Sequence, residues 1–289
     1  MVPVAPSAHF DLLHAARHAA HLPPAPRILG RLLAAIGDGN SSLQLVAELM
    51  RVEPVLGAQL LRVANSALFG FRVPAASVAE AVLRIGMREV QRIIGLAATA
   101  RVFRADLALY DTTADALWEN AVLTAIAMEL LAERTGNDPA PAYTAGLLRS
   151  VGKMVLARHA AGLRDLPPLA ACGATLPEWE RGLFGTTHAD VGASLCEAWH
   201  FPRAVGLAIR DHLQPPAPPA AIVLAHLLNA AGAVAAELGR GLPGEAGLWA
   251  DGPARLNQMG LMEADLREVA GRTLLTFDKM NETLALIRG

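Results

Sequence analysis

The chain has 289 residues, long enough to bury a sizeable core without disulfide or metal staples. Hydrophobic residues make up 53 % and charged residues 18 %, which excludes a disordered chain; aromatics at 4 % leave alanine, leucine and valine as the apolar mass, favouring helices over sheets. Lys+Arg 25 against Asp+Glu 27 gives a formal net charge of −2, so no basic excess is available to neutralise phosphates, and nucleic-acid binding is not expected.

Along the chain, stop and start signals for helices follow one another. His14, His18 and His21 share one face of an N-terminal helix. That spacing can hold a metal, but no second element supplies further ligands, so a solvated face is expected. Pro23-Pro24-Ala25-Pro26 punctuates the chain, and Ser41-x-x-Gln44 is a capping-box pattern. Glu53-Pro54 opens a helix that ends near Asn65-Ser66, with Gly70 beyond. Asn65 and Ser66 suit either a C-terminal cap or a binding role.

Ser77-x-x-Glu80, Thr112-x-x-Asp115, Thr175-x-x-Glu178 and Thr187-x-x-Asp190 mark further helix starts, and Gly86 and Gly136 further stops. After Asp138-Pro139, the run Ala145 to Ala157 predicts one long, nearly uncharged helix burying Leu147, Leu148, Val151 and Val155. Pro167-Pro168 with Cys172-Gly173 suits a long surface connection. Cys196 lies among apolar helical residues as a core filler. Pro218 to Ala236 carries no charged residue, but His226 and Asn229 would be costly in lipid, so a buried helix rather than a membrane span is expected. Finally Leu266, Ala270, Thr273, Phe277, Met280, Leu284 and Ile287 form a heptad stripe. They predict a C-terminal helix of about 25 residues, docked on its own domain or pairing with a second copy as a homodimer. Asp265, Glu268, Arg272, Lys279 and Glu282 fall off the stripe, as solvated positions should.

The fold class is therefore all-α with two helical lobes: residues 9–105 as a first lobe of short helices and 112–239 as a second of longer ones. Residues 106–111 connect them, and 242–289 form a tail. Two cysteines do not make a secreted disulfide framework, and no basic-then-apolar leader opens the chain, so a cytoplasmic protein is expected. Phosphate-binding glycine loops and a nucleophile elbow are absent from the sequence.

Several motifs together resemble the HDOD domain, the bacterial HD-related output domain. They are Glu53-Pro54-Val55-Leu56, the stretch Leu61 to Gly70 with Asn65, Ser66 and Phe69, and Leu83-Arg84-Ile85-Gly86. Trp118-Glu119-Asn120-Ala121, Gly146-Leu147-Leu148-Arg149-Ser150-Val151-Gly152-Lys153, Phe184 to His188, Trp199 to Pro202 and Ile209 to His212 continue the match. The resemblance implies that the second lobe is an HD-superfamily helical core, 9–239 being the whole HDOD-like domain.

HD enzymes hold a divalent metal with a His, a His-Asp pair and a late Asp. By resemblance these positions fall on Asn120, on Arg149-Ser150 and on Ala225-His226. An arginine cannot coordinate, and it brings positive charge to the place of a cation. His188 and His212 remain; two histidines alone make a poor structural zinc site, and polar core positions or a small-ligand pocket are the other readings.

The resemblance therefore implies a degenerate, non-enzymatic signal-transduction output module. It would act by contact with other signalling proteins, such as the receiver or kinase domains that the family accompanies. No metal, no cofactor and no membrane are expected. The alternatives are a nucleotide-type receptor with a pocket between the lobes and a divergent metal-dependent phosphohydrolase.

Overall fold

A computed structural model describes residues 9–12, 28–31, 46, 48–50, 53–67, 69–163, 166–169, 173–215, 223–249, 256–257, 259–280 and 285. The histidine array at 14, 18 and 21, the Pro23–Pro26 cluster, the pattern at 41–44, Cys172, Glu282, Leu284 and Ile287 lie outside them.

The named elements are helical: α1 (Pro54–Ala64), α2 (Val78–Ile85), α3 (Met87–Val102), a 3₁₀ turn (Ala108–Tyr110), α4 (Ala114–Arg134), α5 (Pro139–Leu148), α6 (Val151–Ala160), α7 (Leu176–Phe184), α8 (His188–Ala198), α9 (Arg203–Asp211), α10 (Val223–Glu237) and α11 (Glu263–Lys279). Among the described residues there is no strand, only an isolated antiparallel bridge between Leu107 and Thr112.

The caps explain the boundaries. Ser77 Oγ accepts the Glu80 N–H (3.1 Å), Asp138 Oδ1 that of Ala140 (2.9 Å) and Thr187 Oγ1 that of Asp190 (3.1 Å). Glu178 Oε2 reaches back to the Thr175 N–H at 2.9 Å. One cap falls a residue later than expected. Thr113, not Thr112, receives the Ala116 N–H, while the Thr112 hydroxyl donates to Tyr110 O. The bridge with Leu107 holds Thr112 in the connection and leaves Thr113 to start the helix.

Asn65 is tied into the loop that follows α1. Its backbone is not left-handed (φ −94°); instead its amide brackets the Ala75 peptide, donating to Ala75 O at 3.0 Å and accepting from Ala75 N at 2.6 Å. Ser66 Oγ donates to Val63 O. Gly70 (φ 60°) makes the left-handed turn, Phe69 stacks on Phe71, and Arg84 pairs with Glu80. The family motif thus builds the α1–α2 loop. Gly86 (φ 82°) ends α2 and begins α3 without a gap.

Helix α4 is the axis, buried at 15 of its positions from Leu117 to Ala132. Helices α5, α10 and α11 pack along it, α8 packs on α6 and α9, and α3 leans on α5. One hydrophobic cluster runs from Phe10 to Met280, across the expected division into two lobes. Gln91 Nε2 donates across the junction to Ala140 O at 3.0 Å. His9 and His159, which the sequence leaves without neighbours, are placed here too. The His9 ring lies over Gly185, and His159 packs edge-on against Phe10 and Phe184.

The tail is not separate. Leu242, Leu256, Leu261, Val269, Ala270 and Met280 belong to the same cluster, so the expected boundary near 239–242 is not a boundary in packing. The heptad stripe faces α4 and α10 of its own chain: Ala270, Thr273 and Met280 are buried, Leu266 and Phe277 half-buried. A homodimer built on that stripe would have to displace those helices. Asp265, expected in solvent, is buried because it pairs with Arg134 of α4. The charge-free stretch ends in α10, and among the described residues no helix is long and apolar enough to cross a membrane. Cys196 is buried as a free thiol, and burial pushes its pKa up to about 12.

Candidate functional site

The run from Ala145 to Ala157 is two helices, not one. Helix α5 ends at Leu148, and Ser150 (φ −98°, ψ 8°) starts α6. Leu147, Leu148, Val151 and Val155 are buried as expected, but so are two cations, Arg149 and Lys153, four residues apart on either side of the break. Unpaired charges in such an interior would cost several kcal/mol each.

Glu245 compensates them. It comes from the loop after α10 and is fully buried. Its Oε2 lies 2.9 Å from Arg149 Nη1 and its Oε1 2.5 Å from Lys153 Nζ. Burial alone would raise the Glu245 pKa; Arg149 and Lys153 outweigh burial and hold it at about 2. Asn120 of α4 accepts from Arg149 Nη2 and donates from Nδ2 to Arg240 O at 2.7 Å. The guanidinium sits over the Trp249 ring at 5.1 Å and the Lys153 ammonium over the Tyr110 ring at 5.4 Å.

A second carboxylate balances the cluster. Glu180 of α7 accepts from Tyr110 OH (2.8 Å), from the His188 N–H (2.9 Å) and from His188 Nδ1 (2.9 Å). A carboxylate only accepts, so Nδ1 carries the proton. Burial opposes ionisation of Glu180, but His188 and Lys153 draw its pKa below the usual carboxylate value. His188 reaches this spot because α6 and α8 nearly touch: a Cβ on Gly152 would fall 1.9 Å from His188 O.

The His212 ring lies 5.9 Å from that of His188 and stacks on Trp249 at 6.1 Å. Its Nδ1 bonds Ile209 O at 2.6 Å. Burial first, then Arg149 and His188, press the His212 pKa well below that of a free imidazole, so it is neutral. The interior thus holds Arg149 and Lys153 against Glu180 and Glu245.

Of the positions that the resemblance singles out, Asn120 and Arg149 are in direct contact, and His188 and His212 adjoin them. Ser150 is buried at the head of α6, and His226 is buried on α10 three residues before Asn229, whose Nδ2 donates to His212 O and Leu248 O. Asn65, Ser66, Phe69, Gly70 and Gly86 lie in the first lobe, away from the cluster.

These residues do not fit the metal of an HD enzyme. The pair position presents a guanidinium, already bound to a carboxylate. Among the described residues, no three His, Cys, Asp or Glu side chains gather to hold an ion. Sequence reasoning missed Glu245, Glu180, Lys153, Tyr110 and Trp249. One signal was available: two cations four residues apart on an otherwise apolar helix require buried anions.

Fold and cluster together define an all-helical protein with a buried, internally paired charge cluster. The HDOD domain model matches residues 22–215, and the chain belongs to the HDOD domain family. An uncharacterized protein of Treponema pallidum (strain Nichols) is 28 % identical over 203 residues, 66 % of this chain and 37 % of that protein, so the chain spans little more than a third of that relative. A structure of a candidate phosphohydrolase from Shewanella amazonensis SB2B superposes with a TM-score of 0.68 at 25 % identity, covering 96 % of both chains. A candidate signal transduction protein from Marinobacter aquaeolei VT8 gives a TM-score of 0.72 at 22 % identity, over 98 % of this chain and 68 % of its own, and shares the fold.

Proposed function

We propose that this HDOD protein is a non-enzymatic signalling module that acts through contacts with other bacterial signalling proteins. The observation that carries the reading is the Arg149–Glu245 pair. By resemblance, a positive side chain stands where enzymes of the HD type hold a cation, and its counter-charge comes from the same chain. Water activation at such a site would need open coordination positions, and a guanidinium offers none.

Catalysis is testable directly. Nucleoside mono-, di- and triphosphates and cyclic dinucleotides are incubated with the protein and with magnesium, manganese, nickel or iron(II). The reading predicts no turnover above a buffer blank with any pair. Turnover that is saturable in metal and abolished by His188→Ala would replace it with the phosphohydrolase reading. The partner half is checked by cross-linking in the native cell: a defined signalling protein, cross-linked at reproducible surface positions, is the expected result.

A further inference from the structure

The cluster is closed by a segment beyond the part of the chain that the family model matches. Residues 239–249 leave α10 through Gly239 (φ 72°), turn again at Gly244 (φ 78°) and carry Leu242, Glu245 and Trp249 into the interior. Each anchor meets a different helix. Arg240 O accepts from Asn120 of α4, and Glu245 sits between Arg149 and Lys153 at the start of α6. Trp249 stacks on His212 after α9 and presses against Gly232 of α10, while Leu248 O accepts from Asn229. At Gly244, whose φ is positive, a side chain would also run into Leu169.

Two of these anchors, Asn120 and Arg149, are positions that the HD resemblance gives to metal ligands. They hold peptide and carboxylate oxygens of one loop instead. We propose that residues 239–249 are an internal plug, and that the Arg149–Lys153 pair is an anion-binding site for a carboxylate, which Glu245 occupies as a tethered ligand. Arg149 Nη1 and Lys153 Nζ converge on the two oxygens of one carboxylate, two charged donors in an arrangement suited to an oxyanion. Trp249 and Asn120 flank it, so the site is shaped as well as charged. The inference uses only contacts within the chain and does not rest on the absence of catalysis; metal-dependent turnover would defeat the proposed function and leave this measurement standing.

The test is chemical rescue with the full chain. Glu245→Gly deletes the tethered carboxylate and leaves the loop backbone. Breaking a buried pair of this kind should lower Tm by about 5 °C or more. Formate or acetate is then titrated at constant ionic strength with chloride as the balance. The proposal predicts a saturable rise in Tm for the variant that wild type does not show. Glu245→Gln, which keeps the volume and loses the charge, should lose stability but show no rescue, its amide still filling the site. Hydrogen exchange supplies the second readout: amides of 239–249 should exchange at least about tenfold faster in Glu245→Gln, with α4 amides nearly unchanged. If Glu245→Gln matches wild type in Tm and loop exchange, or if carboxylate raises the Tm of Glu245→Gly no more than that of wild type, the tethered-ligand assignment is wrong. Where Glu245→Gly fails to fold, the exchange comparison on Glu245→Gln decides alone.

Discussion

Arg149 and Glu245, 96 residues apart in sequence, meet at 2.9 Å with 1 % and 0 % of their side chains exposed. That pairing ties the α5–α6 break to the loop after α10. It also makes the interior's stability a matter of proton balance.

His212, Glu245 and Glu180 set that balance, the imidazole in one pH window and the two carboxylates, both with lowered pKa, in another. His212 has its pKa depressed in the fold, so unfolding lets it take up a proton; its contribution is whole above the free value of 6.5 and declines as pH falls below it. Glu245 is depressed from 4.5 to about 2, so its contribution is whole above 4.5 and is lost as pH falls from there towards 2. That difference corresponds to something on the order of 3 kcal/mol at neutral pH. Urea melts at pH 7.5, 5.5 and 3.5 should show a first loss that His212→Asn removes and a second that Glu245→Gln reduces, Glu180 supplying the remainder. Stability that is flat from pH 7.5 to 3.5 would contradict both assignments.

Packing where α5 turns into α6 is tight enough to read by substitution. Leu148 is fully buried, and Leu148→Ala should cost about 2–5 kcal/mol. Gly152→Ala should cost about as much for the opposite reason, since the added methyl has no room beside His188 O. Denaturant titrations with unchanged slope would measure both. A Leu148→Ala cost below about 1 kcal/mol would mean that the site relaxes freely.

Helix α11 is an integral wall of the domain. Deleting residues 263–289 exposes the α4 face that Val269, Ala270 and Thr273 cover and strands Arg134 without Asp265. The truncated chain should lose its cooperative thermal transition or its solubility. A well-folded truncated chain of half the native mass in solution would instead show that the stripe joins two copies.

The helical class and most helix starts were legible because caps and prolines act within a few residues. Thr187, Ser77, Asp138 and Pro54 show this directly. Which helices would be neighbours was not legible, since nothing local says that α3 rests on α5. The break at Arg149-Ser150 was hidden for a related reason. Arg and Ser are tolerated inside helices, so neither marks a stop at that position. Glu245 itself lies in a Gly- and Pro-rich stretch, Gly239 to Gly247, that reads as surface loop. Its burial depends on cations about a hundred residues earlier, and no periodicity carries that information. Asp265 was misplaced likewise, because its partner Arg134 is on another helix.

The central claim is the proposal that Arg149 and Lys153, paired with Glu245, take the part that a bound cation plays in the enzymes the chain resembles. The most direct measurement is elemental mass spectrometry of protein purified without chelator and re-equilibrated with manganese, iron(II), nickel and zinc. The account predicts well below one bound ion per chain for each metal, unchanged by His188→Ala. One tightly held ion per chain that disappears in His188→Ala would contradict it.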